Sequence, residues 1–330
     1  MRRTSVLGAG SWGTALAVHL VHVGHEVRLW GRDPALVRDM LARRANAVYL
    51  PDVALPPALH PTASLDEALD GSELVVCAVP SHGVRSVMQS AAGLVPAGVI
   101  VVSATKGLEM ETFLRTSERL GLELGGGHPV VVLSGPSFAA ELARQLPTAV
   151  CAASRDQVAA ERVQAEFRSS YLRLYASTDV VGVEIGAAMK NVIAIAAGVV
   201  EGLGLGQNAT AALITRGLVE ITRLACALGG CRETLSGLSG LGDLVLTCTG
   251  SLSRNRHVGI ELARGRPLAE VLGGMKMVAE GVRTAGAALA LGTRHGVELP
   301  ITMQMYEVLE GRKTPRAALV DLMLRPQKAE

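Results

Sequence analysis

Over the first half of the chain, short runs of consecutive Val, Leu and Ile alternate with longer stretches whose apolar positions recur at helical spacing. Thr4–Leu7 is a brief β-prone run, Thr14–Val23 has helical periodicity, and Glu26–Trp30 is a second β-prone run. The theme returns at Glu73–Val79, Val99–Ala104, Val130–Leu133, Thr148–Ala152 and Leu172–Tyr175. Strands that alternate with helices predict a parallel sheet with helices on both faces. Strands apolar at nearly every position are buried on both sides. The pattern changes near Ser177–Asp179. Beyond it no run reads as a strand, and the chain continues in Ala-rich helical segments separated by glycine clusters. The helix predicted to open near Asp179 carries Val180, Val181, Val183, Ile185, Met189, Val192, Ile193 and Ile195, apolar on nearly every face. A helix hydrophobic all round is a core helix. The last dozen residues, ending in Pro326–Glu330, read as a polar tail.

A length of 330 residues exceeds what one growing core supports, so two domains are expected, with the boundary at 178/179. Only 3% of residues are aromatic while 49% are hydrophobic, so the core must be built from Ala, Val, Leu and Ile. The net charge of +2 provides no whole-molecule field for nucleic acid or a membrane surface; anion recognition must be local. Five cysteines form no C-x-x-C pair, and Cys226 and Cys231 lack partners for zinc. No metal site is expected, and the odd thiol count points to a reducing, cytoplasmic compartment. The opening MRRTSVLGAG has no apolar stretch of signal-peptide length before its glycines. The apolar run Ile185–Val200 is broken by Lys190 and Asn191, and reads as too short and too polar to span a bilayer.

Gly8-Ala9-Gly10-Ser11-Trp12-Gly13 is a G-x-G-x-x-G that follows a strand and opens a helix. That context is what a dinucleotide site needs. Gly8 permits the turn, Gly10 lets a pyrophosphate reach the backbone, Gly13 lets helix and strand pack, and the first helix amides face the phosphate charge. Residues 1–178 are therefore expected to form a Rossmann-type doubly wound α/β domain, and 179–330 an all-helical substrate-binding domain. An NAD-selective site places an acid at the end of the second strand. Here Gly31 and then Arg32 stand there; Arg32 suits a 2′-phosphate, and Asp33 reads as the cap of a helix starting at Pro34. NADP(H) is the expected cofactor, with NAD(H) tolerated.

In open parallel sheets, ligands gather at the carboxyl ends of the strands. Three such ends carry polar residues: Pro80-Ser81-His82, Thr105-Lys106-Gly107 and Ser134-Gly135-Pro136-Ser137. They are ordinary loops on the plainer reading; Lys106 is the strongest of them, a cation placed for a phosphate or carbonyl. Lys190 lies in the middle of the apolar core helix. Burial lowers a lysine pKa and makes the group a usable acid or base near neutrality; the plainer alternative is a side chain that snorkels to water. A third cluster runs Gly237–Asp243, Thr247 and Ser253-Arg254-Asn255-Arg256. Ser253 is a natural N-cap for a helix through Leu262. Arg254 and Arg256 then sit in the first turn, where the macrodipole disfavours cations unless an anion binds there.

With these residues in view, the chain resembles the bacterial NAD(P)-dependent glycerol-3-phosphate dehydrogenases over nearly its whole length. The resemblance rests on GAGSWGTALA (8–17), LWGRD (29–33), SATKGLE (103–109), LSGPSFAAE (133–141), EIGAAMKNVIAIAAG (184–198), GLSGLGDL (237–244) and SRNR (253–256). It implies that Lys190 is the acid/base. It implies that Lys106, Gly135, Ser137, Lys190, Asp243, Ser253, Arg254 and Asn255 hold the glycerol phosphate. It implies that Ser11, Trp12, Arg32, Lys106, Ala139, Arg254, Val278 and Glu280 touch the dinucleotide, with Tyr49 a further contact. The implied reaction interconverts dihydroxyacetone phosphate and sn-glycerol 3-phosphate for phospholipid synthesis, in a homodimer. Two rivals remain at this point. A β-hydroxyacid-type dehydrogenase of the same plan would bind a carboxylate instead of using SRNR for a phosphate. A non-catalytic dinucleotide sensor would have no use for a buried lysine or a second anion site.

Overall fold

The computed structural model describes residues 2–327. Its strands are β1 (Arg3–Leu7), β2 (Glu26–Trp30), β3 (Ala45–Asn46), β4 (Leu50–Ala54), β5 (Leu59–Thr62), β6 (Leu74–Cys77), β7 (Ile100–Ser103), β8 (Val130–Ser134), β9 (Thr148–Ala153) and β10 (Leu172–Ser177). Eight of them form one sheet in the order β10-β9-β8-β7-β6-β1-β2-β5, while β3 and β4 pair apart from it. The chain winds from β1 outward to β5, then resumes at β6 on the other side of β1. That reversal opens a crevice at the carboxyl ends of β1 and β6. Successive side chains of the central strands feed opposite layers, as the two-residue period requires. Val76 and Val102 join Leu16 and Leu20 of the Ser11–His22 helix on one face. Val75 and Val101 join Met88 and Leu120 on the other.

Three expectations need correction. The sheet is not wholly parallel: β9 runs antiparallel to β8, with Val132 beside Ala153 and Ser134 beside Cys151, and β10 runs parallel to β9. The only helix between β8 and β9, Ala139–Ala143, has five residues and spans about 7.5 Å. It cannot carry the chain back to the foot of the sheet, so β9 begins beside the end of β8 and runs the other way. Strands β3, β4 and β5 were not expected at all. Pro51 and Pro61 lie within β4 and β5, and β5 is tolerated because it is the sheet's edge. Finally, the expected polar tail is partly helix, because Pro315–Met323 is capped by the Thr314 hydroxyl and buries Ala318. Residues 328–330 lie outside the described residues.

Among the described residues no strand follows Ser177. The core helix runs Val180–Gly202, and 20 of its 23 residues are buried. Asp179 caps it, accepting from the Gly182 N–H at 2.8 Å and from the Cys231 N–H at 2.8 Å. The helix is long and apolar enough to cross a bilayer, contrary to the shorter run read from the sequence, but its surface is taken up by neighbouring helices. The Arg254–Ala263 helix presses on it so closely that a Cβ on Gly198 would stand 1.9 Å from the Arg256 carbonyl oxygen, and one on Gly259 1.9 Å from that of Ile195. Among the contacts that tie the helical part to the sheet, two lie away from the crevice. Leu108, from the loop after β7, is buried in the helical core. Glu184 of the core helix accepts from Arg115, from the Ser117 N–H at 2.8 Å and from its hydroxyl at 2.6 Å.

Candidate functional site

Strand β1 delivers the chain to Gly8, whose φ of 116° is one that L side chains avoid. A Cβ on Gly13 would lie 1.9 Å from the Gly8 carbonyl oxygen, so the helix is seated directly on the turn. Asn46 ties the turn from outside, donating to the Ala9 carbonyl at 2.9 Å and the Thr14 hydroxyl at 2.8 Å. Over Gly10 there is open space within 4 Å. Trp12 Nε1 is buried without a partner among the described residues. Asp33 caps the Pro34–Arg43 helix, accepting from the Ala35 N–H at 2.8 Å, and Arg32 is left exposed.

The turn opens onto a cleft of about 580 Å³ between the sheet's carboxyl edge and the helical part. Gly8, Gly10, Ser11, Trp12, Arg32, Tyr49, Lys106, Ser137, Ala139, Lys190, Asp243, Ser253, Arg254, Asn255, Val278 and Glu280 all border it. Gly13 lies beneath the turn, and Gly135 contributes its carbonyl behind Lys106. Residues scattered over 270 positions of sequence thus meet in one crevice.

Its centre is a carboxylate held between two lysines. Lys190 is 6% exposed and Asp243 1%. Lys190 Nζ donates to Asp243 Oδ1 at 2.5 Å and to Thr247 Oγ1 at 2.9 Å. Lys106 Nζ donates to Asp243 Oδ2 and the Gly135 carbonyl, each at 2.8 Å, with Ser137 Oγ at 3.4 Å. Burial lowers the Lys190 pKa to about 8; Asp243 acts against that fall and Lys106 adds to it. An amine so poised can hold or release a proton near neutral pH.

The other end of the site is the start of the Arg254–Ala263 helix. Ser253 Oγ accepts from the Arg256 N–H at 3.2 Å. The N–H groups of Arg254 and Asn255 are at helix positions with no intrahelical acceptor. The expected arginine pair divides its work. Arg256 turns away to pair with Glu201, whereas Arg254 is crowded by protein yet opens onto the cleft. That crowding lowers its pKa, and Glu280 opposes the fall. Asn255 faces inward: its carboxamide accepts from the Gly281 N–H at 3.0 Å and donates to Asn191 Oδ1 at 3.0 Å. It therefore keeps its main-chain N–H and one amide hydrogen for a ligand. Glu280 accepts from the Ser81 N–H at 3.0 Å and its hydroxyl at 2.5 Å.

Thr247 stands in the third cluster of the sequence without a role of its own there, and Asn46 is not singled out at all. Thr247 lies four residues after Asp243, a spacing that puts both on one helix face and makes it legible in hindsight. Asn46 follows the Pro34–Arg43 helix in a segment without a periodic signal. Met277 is a further addition, its sulfur accepting from the Ser11 hydroxyl at 2.7 Å.

The residues fit a dinucleotide: open space stands over Gly10, the indole N–H of Trp12 lacks a partner, and the exposed Arg32 sits at the end of β2. Comparison with known proteins bears on the same point. The N-terminal model of NAD-dependent glycerol-3-phosphate dehydrogenase matches residues 3–160, and the C-terminal model matches 179–320. A glycerol-3-phosphate dehydrogenase of the NAD(P)+ type from Koribacter versatilis is 51% identical over 334 residues, covering 100% of this chain and 99% of that protein. One from Myxococcus xanthus is 52% identical over 330 residues, covering 99% and 98%. The crystal structure of glycerol-3-phosphate dehydrogenase from Coxiella burnetii superposes with a TM-score of 0.95 at 40% identity, covering 98% of this chain and 99% of that one. With a glycine-turn crevice, a buried lysine–carboxylate centre and these relatives along its full length, the chain belongs to the NAD-dependent glycerol-3-phosphate dehydrogenase family of oxidoreductases.

Proposed function

We propose that the protein reduces dihydroxyacetone phosphate to sn-glycerol 3-phosphate, reversibly, and supplies the glycerophospholipid backbone. The observation that carries this reading is the buried Lys190 held by Asp243 and Thr247, in the same cleft as the unpaired end of Arg254. Ser11, Trp12 and the glycine turn would hold the pyrophosphate, Arg32 the adenosine end, and Ala139, Val278 and Glu280 the remainder of the cofactor. When bound, the reduced nicotinamide supplies the hydride. Lys190 donates the proton to the carbonyl oxygen in reduction and accepts it from the hydroxyl in oxidation. Lys106 and Asp243 fix that ammonium and the substrate's oxygens, with Gly135 and Ser137 behind Lys106. The substrate phosphate lies against Ser253, Arg254 and Asn255, where free helix amides and a guanidinium favour an anion.

The exposed Arg32 after Gly31 supports a preference for NADP(H) over NAD(H), because no acid at the strand end repels a 2′-phosphate. We take residues 1–178 as the cofactor domain and 179–330 as the substrate domain, and the enzyme as a cytoplasmic homodimer without membrane insertion or nucleic-acid binding. Five free thiols and the packed surface of the core helix support that placement. Turnover of dihydroxyacetone phosphate with NADPH and with NADH tests the reading. Lys190→Ala should lower kcat at least about a hundredfold while leaving cofactor affinity nearly unchanged. Near-normal kcat in that variant would refute the role of Lys190.

A further inference from the structure

Three segments from different parts of the fold meet at one serine. Ser81 opens the short helical turn after β6, on the strand next to β1 across the crevice. Its N–H and hydroxyl both go to Glu280, 199 positions later, at the start of the Glu280–Arg294 helix. A turn that merely needed a cap would take one locally; this one spans the cleft from the sheet to the helical part. Gly107, which follows Lys106, packs on the same pair: a Cβ there would stand 2.8 Å from Ser81 Cβ and 3.1 Å from Glu280 Oε2. On the other side, the Gly281 N–H donates to Asn255 and Asn255 donates to Asn191, the neighbour of Lys190. A Cβ on Gly281 would lie 2.5 Å from the Asn191 carbonyl oxygen, so the spacing is tight throughout.

We propose that Ser81 is a positioning residue, which fixes the Glu280 carboxylate and thereby sets the crevice of the cofactor against the helix that carries Lys190. The inference rests on the reading of the cleft as a nicotinamide-cofactor site. Glu280 is doubly anchored: two donors from Ser81 hold it, and as the first residue of its helix it sits where the macrodipole favours negative charge. Without the hydroxyl of Ser81, Glu280 keeps only the backbone donor. The carboxylate then swings, and the two walls of the cleft lose their shared index.

The test uses the full-length enzyme and three variants, Ser81→Ala, Ser81→Thr and Glu280→Gln. NADPH affinity is read by fluorescence, and the primary deuterium isotope effect on kcat with NADPH deuterated at the transferred position reports hydride alignment. Ser81→Ala should weaken NADPH binding about tenfold, the equivalent of one lost hydrogen bond, and enlarge the isotope effect. The KM for dihydroxyacetone phosphate should stay within about twofold. Ser81→Thr should restore both readouts, and Glu280→Gln, which puts a donor where two donors point, should reproduce or exceed the loss. Unchanged binding and isotope effect in Ser81→Ala would overturn the proposal. A loss that Ser81→Thr fails to restore would overturn it too, since packing alone would then account for it. Absence of turnover by the unaltered enzyme with either cofactor would instead overturn the parent reading.

Discussion

Replacing Lys106 with methionine should move the pH profile of the enzyme upward. In the proposed role Lys190 must be neutral to take a proton in the oxidation direction, so kcat/KM for sn-glycerol 3-phosphate should rise with pH and level off above about 8. Reduction needs the ammonium and should decline through the same range. The fall of the Lys190 pKa from 10.5 to about 8 disfavours the charged form by roughly 3 kcal/mol, at about 1.4 kcal/mol per pH unit. Burial is the first cause, and Lys106 adds to it. The two ammonium groups sit on opposite oxygens of Asp243, at 2.5 and 2.8 Å. Two unit charges about 5 Å apart at an effective dielectric of about 20 repel by about 3 kcal/mol, or about two pH units, which sets the scale of the effect. Lys106→Met should therefore shift the ascending limb by about one to two units, even as overall activity falls with the proposed substrate contact. The measurement is kcat/KM for oxidation from pH 6 to about 10.5, in wild type and variant. A limb that stays near 8 in the variant would refute the coupling, and a wild-type limb above about 10 would refute the buried-amine argument itself. Linkage supplies a second sign. Between about 8 and 10.5 the unfolded chain holds a proton that the folded one has released, so stability contributed by this group rises with pH across that window.

Other outcomes follow from the same geometry. Arg254→Ala should raise the KM for dihydroxyacetone phosphate tenfold or more, about 1.5–3 kcal/mol for a charged hydrogen bond. Unphosphorylated dihydroxyacetone should be hardly affected, and equal losses for both would remove the phosphate from that helix start. Arg32→Ala should weaken NADPH by about 1–3 kcal/mol and NADH much less, as measured by titration; equal losses would mean that Arg32 only stacks on the adenine. Gly198→Ala places a methyl 1.9 Å from the Arg256 carbonyl oxygen, so thermal unfolding should show a loss of about 1–3 kcal/mol or more. A melting temperature equal to that of the wild type would mean that the two helices separate freely.

What was legible in the sequence was whatever repeats or caps. The glycine turn, the core helix opened by Asp179, the cap at Asp33 and the cap at Ser253 each carry a local signature, and each stands where expected. What was not legible depends on partners far along the chain. Pro51 and Pro61 hid two strands whose existence rests on an edge position and a hairpin, neither visible locally. The inward turn of the Asn255 carboxamide depends on Gly281 and Asn191, and the role of Ser81 on Glu280. The first turn of a helix announces itself within four residues, whereas the acceptor of a side chain does not.

The reversed pair β9–β10 sets the level at which the helix of Lys190 begins. Because these strands run against β8, Ser177 leaves the sheet beside Ala153, which faces Val132 midway along β8, and Val180 and Val183 pack there on Val132. From Val180 the helix climbs ten residues to Lys190, about 15 Å. Val132, against which that first turn packs, lies two residues, about 7 Å, before Ser134, and Gly135 follows it. There the ammonium meets one oxygen of Asp243, whose other oxygen takes Lys106, itself held by the Gly135 carbonyl. Had β9 and β10 followed the others, the chain would leave the sheet at its carboxyl rim and not beside Val132. Insertion or deletion of a few residues between Ser177 and Lys190 should thus cost stability as well as activity, because it would turn a buried helix and carry its amine away from Asp243 and Thr247.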